Sequence, residues 1–164
     1  MYLPFSQKET SFELFPSIRL SHFYDEPKPP LSFFQGYFSN SGLHILLRAY
    51  EKPEDCSYFC FTLLSGKKLI FSKRIQPNKD DLSLKLNSFQ GENFIGNFWG
   101  AELFVSKKFC KQPLYAIIGL FHDNIPLCFL TDNSPPSEMA YPLVNFKQKP
   151  HLKSSSAKIQ SINH

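Results

Sequence analysis

Apolar and polar residues alternate in short stretches along the middle of the chain. Residues 82–87 alternate strictly between leucine and a polar residue, and residues 68–75 alternate almost as regularly. Because successive side chains of a strand point to opposite faces, such stretches predict half-buried β-strands. No segment has the spacing of an amphipathic helix. The predicted strands are Leu43 to Tyr50, Tyr58 to Leu64, Lys68 to Ile75, Leu82 to Asn87, Trp99 to Val105, Leu114 to Leu120, Pro126 to Thr131 and Ala157 to Ile162.

The turn signals between these strands predict an all-β fold. Asn, Gly, Pro and Asp residues recur at intervals typical of an antiparallel sandwich or barrel. The composition of 18 Phe, 7 Tyr and 13 Pro against 7 Gly also favours strands with punctuated connections. A chain of 164 residues is long enough for one full core. We therefore expect one domain over residues 31–164, preceded by an N-terminal extension over residues 1–30 that ends in a proline-rich, extended stretch.

Charge and cysteine content narrow the functional classes. The net charge of +4 is modest and dispersed, which argues against a nucleic-acid-binding protein. No apolar run is long enough to span a bilayer, and the first residues lack the pattern of a signal peptide. We expect a protein that stays in the cytoplasm or leaves the cell by an unconventional route. The four cysteines lack paired spacing and have no histidine at zinc-finger offsets, so they are interpreted as free thiols and no metal site is predicted.

The polar faces of the central strands suggest a binding surface. If strands 68–75 and 82–87 are antiparallel neighbours, Ser72, Arg74 and Asn87 share one solvent-facing surface, and the strand of Trp99 comes next. Glu102 could hold Arg74 by a charge-assisted pair, and Trp99 could stack on the apolar face of a sugar. Two simpler interpretations remain open: the surface is only the wet side of a sandwich, and Trp99 is a core residue.

The order of these residues resembles the galectin carbohydrate-recognition domain. Galectins have His-x-Asn-Pro-Arg, Val-x-Asn and Trp-Gly-x-Glu segments on consecutive strands. Residues 69–75, residues 84–88 and Trp99-Gly100-Ala101-Glu102 are similar to these segments in turn. The similarity covers residues 58–104 in motif and residues 31–162 in outline. The chain departs from the pattern at Ile70, Ser72 and Lys73, which stand at the His, Asn and Pro positions, at Phe104, and in a longer loop from Phe89 to Phe98.

The resemblance implies a galectin-type jelly-roll sandwich of two antiparallel sheets, a lectin without cofactor, metal or catalysis, and association into a homodimer. It implies that the glycan is bound by Ser72, Arg74, Asn87, Trp99 and Glu102. Because Ile70 cannot form a hydrogen bond, the ligand is left open between a β-galactoside and another glycan. A degenerate member that acts as a protein-interaction module is the alternative.

An enzyme is not predicted. His122 and Asp123 are adjacent, and the residues that follow them, Asn124-Ile125-Pro126, favour a turn over a catalytic dyad. The chain contains no nucleophile elbow, phosphate-binding loop or His-Glu-x-x-His segment.

Overall fold

Strands dominate the computed structural model, which describes residues 1–22, 30–81, 85–111, 113–131 and 141–145. Short 3-10 turns lie at Phe12–Leu14 and Lys107–Phe109. Within the described ranges no helix has the length and apolar character needed to cross a membrane. The strands are β1 Tyr2–Leu3, β2 Ile18–Arg19, β3 Ser21–His22, β4 Leu31–Phe38, β5 Gly42–Tyr50, β6 Ser57–Ser65, β7 Lys68–Ile75, β8 Asn87–Asn93, β9 Gly96–Ser106, β10 Leu114–His122, β11 Ile125–Phe129 and β12 Tyr141–Asn145.

The strands form two sheets packed face to face. The first sheet has five strands in the order β2-β4-β5-β9-β8. The second sheet has seven strands. In it, β6 lies between β7 and β10. The other edge of β10 pairs with both β11 and β12; β11 then pairs with β3, and β12 pairs with β1. Among the described strands, all pairs are antiparallel except β1 with β12; the isolated bridge between Phe5 and Phe38 is also parallel. This architecture confirms the predicted all-β sandwich of two antiparallel sheets.

The core lies between the two sheets and follows the two-residue period of the strands. On β5, alternate residues from Leu43 to Ala49 are fully buried, and Phe59 and Phe61 on β6 face them from the other sheet. Full burial of each large apolar side chain contributes about 1.5–3 kcal/mol, so this layer supplies much of the stability. The sandwich therefore holds β5 and β9 rigidly at the centre of the five-stranded sheet.

Most of the predicted strands are present, with ends shifted by a few residues. The prediction for residues 82–87 is wrong at its end: Lys85 has a left-handed backbone with φ 46°, and β8 begins only at Asn87 and runs through the predicted loop. Residues 82–84 and the predicted strand Ala157 to Ile162 lie outside the described residues. Strand β4 was not predicted, because its sequence from Leu31 to Phe38 has no regular alternation of apolar and polar residues.

The N-terminal residues cover one face of the five-stranded sheet. The side chain of Gln35 on β4 donates from Nε2 to the carbonyl oxygens of Phe12 (3.0 Å) and Phe15 (2.7 Å). The Tyr37 hydroxyl donates to the carbonyl oxygen of Thr10 at 3.0 Å. These bonds fix residues 9–15 against the sheet, where they form one wall of the candidate site.

Candidate functional site

The outer face of the five-stranded sheet presents polar side chains from β5 and β9. Since Ile45 and Leu47 point into the core, the alternation of β5 turns His44 and Arg48 outward. The register pairs Leu46 on β5 with Glu102 on β9, which places Glu102 between the levels of His44 and Arg48. The two central strands of the sheet thus bring an imidazole, a guanidinium and a carboxylate to one surface.

Strand β8 adds an amide to this surface. Asn87 lies directly opposite Glu102 in the antiparallel pair of β8 and β9. Directly opposed residues have Cβ atoms about 4.5–5.5 Å apart, so both side chains can contact one ligand. Both are exposed, and within the part of the chain that the structure describes neither side chain forms a hydrogen bond to protein. Their polar atoms are free for a ligand.

These side chains line a groove of about 650 Å³, open to solvent, between the sheet and the N-terminal residues 9–15. A smaller extension of about 180 Å³ continues the surface toward β8. We call this surface the groove. It is lined by Glu9, Phe12, His44, Arg48 and Glu102, with Lys85, Asn87 and Phe104 in the extension.

Arg48 is incompletely paired. Its guanidinium lies 5.3 Å from the ring centre of Phe98 and 5.7 Å from that of Phe89. Gly100 makes room for this arrangement, because a Cβ atom there would lie 2.6 Å from Cζ of Phe89. The Nε atom of Arg48 is buried and has no hydrogen-bond partner among the described residues. A buried donor without a partner costs free energy, which an acceptor on a ligand would recover.

His44 forms a neutral part of the groove floor. Its ring stacks on Tyr37 with centroids 4.5 Å apart, and its Nε2 lies 2.9 Å from Oγ of Ser39. Burial lowers the pKa of His44 below its ordinary value of 6.5; the charge of Lys85 also lowers it, while Glu9 acts in the opposite direction. The imidazole is therefore uncharged at neutral pH.

Trp99 does not lie in the groove. Its side chain is 0% exposed, packs 5.1 Å from the ring of Phe59, and donates from Nε1 to Oε1 of Glu51 at 2.9 Å. The predicted stacking platform is therefore corrected: Trp99 is a core residue. The reason is visible in the sequence, because Trp99 and Glu102 are three residues apart on a regular strand and must point to opposite faces.

Ser72 and Arg74 are also away from the groove. Strand β7 pairs with β6 in the seven-stranded sheet and not with β8, so the predicted neighbourhood of residues 68–75 and 82–87 is wrong. The chain crosses to the other sheet after β7. Ser72 is hydrogen-bonded to Thr62 at 2.6 Å, and the Arg74 guanidinium lies 3.6 Å from the ring centre of Tyr58.

Ile70, which stands at the galectin His position, lies at an irregular point of β7. A register shift between Leu63 and Leu64 in the pairing of β6 with β7 interrupts the alternation. Ile70 is consequently half-buried against the core.

Of the five predicted site residues, Asn87 and Glu102 are brought together. The sequence analysis missed His44 and Arg48, although the signal was present. They are polar residues four positions apart, and therefore on one face, of the otherwise largely apolar strand Gly42–Tyr50. Among the described residues, three metal-ligating side chains meet away from the groove, at Glu54, Cys56 and His122.

Comparison with protein-family models, curated proteins and solved structures gave no match to this chain. The resemblance to galectins stays a prediction from motif.

Proposed function

We propose that the groove binds a neutral carbohydrate and that the protein is a non-catalytic lectin. The observation on which this rests is the cross-strand pair of Asn87 and Glu102, whose polar atoms are open to solvent beside the incompletely paired Arg48. The galectin-like motif places two of the same residues, Asn87 and Glu102, in a glycan site. The proposal therefore keeps the predicted class of function and moves the site to β5, β9 and β8.

The chemistry of the groove suits a polyhydroxylated ligand. Each sugar hydroxyl can donate and accept a hydrogen bond; the Glu102 carboxylate accepts, the Arg48 guanidinium donates, and the Asn87 amide does both. The half-buried rings of Phe12 and Phe104 provide apolar surface at the edges of the groove. Aromatic faces of this kind pack against the C–H groups of a pyranose.

The balance of charge favours a neutral ligand over an anionic one. The carboxylates of Glu9, Glu13 and Glu102 line the surface together with the cations of Arg48 and Lys85. A phosphate-binding surface would need an excess of positive charge, and here the three carboxylates outnumber the two cations. His44 adds no charge at neutral pH.

Among the described residues, the serine–histidine contact at the groove supports a structural role. Ser39 lies 2.9 Å from Nε2 of His44 but is only 6% exposed. Its Oγ also accepts hydrogen bonds from the backbone N–H groups of Ser41 and Gly42, which hold the turn between β4 and β5. A hydroxyl in this position cannot reach a substrate, so we propose binding without catalysis.

A glycan array with matched variants tests this proposal. Asn87→Ala and Glu102→Gln should each weaken glycan binding about tenfold or more, since each removes a well-formed polar contact of about 1.4 kcal/mol or more. The controls are Asn97→Ala and Glu92→Gln, which change the same residue types at exposed positions on the opposite face of the β8–β9 hairpin. If the two site variants bind glycans as well as the two controls do, or if the wild-type protein binds no glycan on the array, the proposal is overturned.

A second candidate, a protein-interaction module, is favoured by the tip of the β8–β9 hairpin. Phe94 is 98% exposed and Ile95 is 47% exposed at this turn. Adjacent exposed apolar residues are typical of contact surfaces. A second copy of the chain would be the partner, as the homodimer implied by the resemblance requires. Sedimentation should then show a dimer that the Phe94→Ser, Ile95→Ser double variant loses; a monomeric wild type would contradict this candidate.

A further inference from the structure

Three potential metal ligands, Glu54, Cys56 and His122, meet at one end of the seven-stranded sheet, and a fourth, Asp123, lies beside His122. Glu54 and Cys56 precede β6, and His122 ends β10 next to Asp123. The backbone fixes their positions: Ser57 N–H donates to the Glu54 carbonyl and Asp123 N–H to the Cys56 carbonyl, both at 3.1 Å. Asp123 and Asn124 have left-handed φ values of 48° and 66° in a two-residue turn, as the sequence predicted for this segment.

The side chains at this end are already close to one another. Sγ of Cys56 lies 3.4 Å from Nε2 of His122 and 3.5 Å from Oε2 of Glu54. Oδ2 of Asp123 lies 3.7 Å from Nε2 of His122. The ligand atoms of Glu54, Cys56 and His122 all lie within 4.8 Å of one another.

These separations match the edges of a tetrahedral zinc site. With zinc–sulfur bonds of about 2.3 Å and zinc–nitrogen or zinc–oxygen bonds of about 2.0–2.2 Å, two ligand atoms at the tetrahedral angle are roughly 3.4–3.6 Å apart. The distances from Sγ of Cys56 to Nε2 of His122 and to Oε2 of Glu54 agree with these values, and the ligand atoms of Glu54 and His122 lie within 4.8 Å of each other. Small side-chain rotations would therefore suffice to enclose an ion.

The second nitrogen of His122 is held as a metal-ligating histidine requires. Nδ1 lies 3.2 Å from Oγ of Ser57, and the Ser57 hydroxyl also hydrogen-bonds to the Glu51 carboxylate. A hydroxyl has one proton; if that proton goes to Glu51, Ser57 accepts from Nδ1–H of His122. In that arrangement Nδ1 carries the proton and Nε2 keeps its lone pair for a metal. Sγ of Cys56 lies beside the ring, 3.4 Å from Nε2 and 3.6 Å from Nδ1, so a rotation of the Cys56 side chain would bring it into line with Nε2.

We propose that Glu54, Cys56, His122 and Asp123 bind one Zn²⁺ ion, or a similar borderline divalent transition metal, in a tetrahedral site. On binding, the Cys56 thiol releases its proton to solvent and the thiolate becomes a ligand, while His122 coordinates through Nε2 and keeps the proton on Nδ1. Sequence spacing gave no sign of this site, because it depends on the pairing of His122 with Ser57 across β10 and β6. The site lies on a different sheet from the groove, so metal binding is tested independently of glycan binding.

Cobalt substitution of the full, reduced chain tests the proposal. Co²⁺ added alone should bind in a 1:1 ratio, with a thiolate-to-metal charge-transfer band in the near ultraviolet and intense visible bands typical of tetrahedral Co²⁺. Zn²⁺ should displace it. Cys56→Ser should abolish the charge-transfer band, and His122→Gln should weaken Co²⁺ binding at least tenfold.

Matched controls separate this result from general effects. Cys60→Ser, which removes another half-buried thiol from β6, and Glu102→Gln in the groove should leave both the spectrum and the affinity unchanged. Circular dichroism checks that Cys56→Ser and His122→Gln retain the sandwich. Calorimetry in buffers of different ionisation enthalpy should show one proton released per Zn²⁺. Three results would overturn the proposal: a spectrum of hydrated Co²⁺ only, an unchanged spectrum in Cys56→Ser, or Zn²⁺ binding without proton release.

Discussion

The outer faces of the two sheets carry similar residue types, but among the described residues the hydrogen-bonding groups are largely paired on one face and partly unpaired on the other. On the seven-stranded sheet, Ser72 is bonded to Thr62 and Arg74 lies 3.6 Å above Tyr58. Tyr58 in turn stacks on Phe121, which contacts Phe129. We call this surface the closed face, because its polar and aromatic groups are largely satisfied by one another.

The groove contrasts with the closed face in what it leaves unpaired. Arg48 is farther from its aromatic neighbours than Arg74 is, and its Nε has no partner within the described ranges. Asn87 and Glu102 face solvent beside it. The difference teaches that polar residues on a strand indicate a binding site only where packing leaves their hydrogen-bonding atoms free. Residue type alone does not distinguish the two faces.

The largest expected effect is a loss of stability when the buried side chain of Trp99 is removed from β9, whose outer face contributes to the groove. Trp99→Ala should lower the free energy of unfolding by about 3–5 kcal/mol, because it leaves a cavity in the core and removes one hydrogen-bond partner of Glu51. Urea denaturation measures this loss, and Trp99→Phe, which keeps most of the volume, should cost less. A Trp99→Ala variant that is as stable as the wild type but has lost glycan binding would return Trp99 to the ligand site.

A smaller effect separates the two arginines. Arg74→Met should cost about 0.5–1 kcal/mol of stability through loss of the cation–π contact with Tyr58, and should leave glycan binding unchanged. Arg48→Met removes a donor whose Nε is unpaired, so it should weaken glycan binding, while the loss of its contacts with Phe89 and Phe98 should make its cost in stability similar to that of Arg74→Met. Chemical denaturation and glycan titration of both variants measure the two properties. Loss of glycan binding in Arg74→Met but not in Arg48→Met would show that the closed face, and not the groove, holds the ligand.

The smallest effect is a dependence of stability on pH. The pKa of His44 is lowered in the folded state, chiefly by burial, so the unfolded chain binds more protons just below pH 6.5. The stability that neutral His44 supports is present above pH 6.5 and falls as the pH is lowered toward its folded pKa. His44→Gln should reduce this slope in denaturation midpoints measured across the range. His22, whose pKa is also lowered, contributes a separate share, so His22→Gln is the comparison. An identical slope in His44→Gln and the wild type would contradict the assignment.

The sequence predicted where the strands lie better than it predicted which strands pair with each other. The pattern of apolar stretches and turn signals located β5, β6 and β7, although both faces of β5 are largely buried. It missed β4, which is buried on both sides once residues 9–15 cover it. For the site, Asn87 and Glu102 were predicted together, and their pairing across β8 and β9 agrees. Ser72 and Arg74 were misplaced because sheet membership after β7 depends on long-range packing, which local alternation does not encode.

Because Trp99 donates a hydrogen bond to Glu51, its fluorescence can report on the charge of the Glu51 carboxyl. Trp99 is the single tryptophan of the sequence, so its emission reports one buried location without a label. Burial raises the pKa of the Glu51 carboxyl that accepts its indole N–H, so the charge beside the ring changes at a pH above the ordinary range of a glutamate. Fluorescence of the unmodified protein can therefore follow the ionisation of a single interior carboxyl.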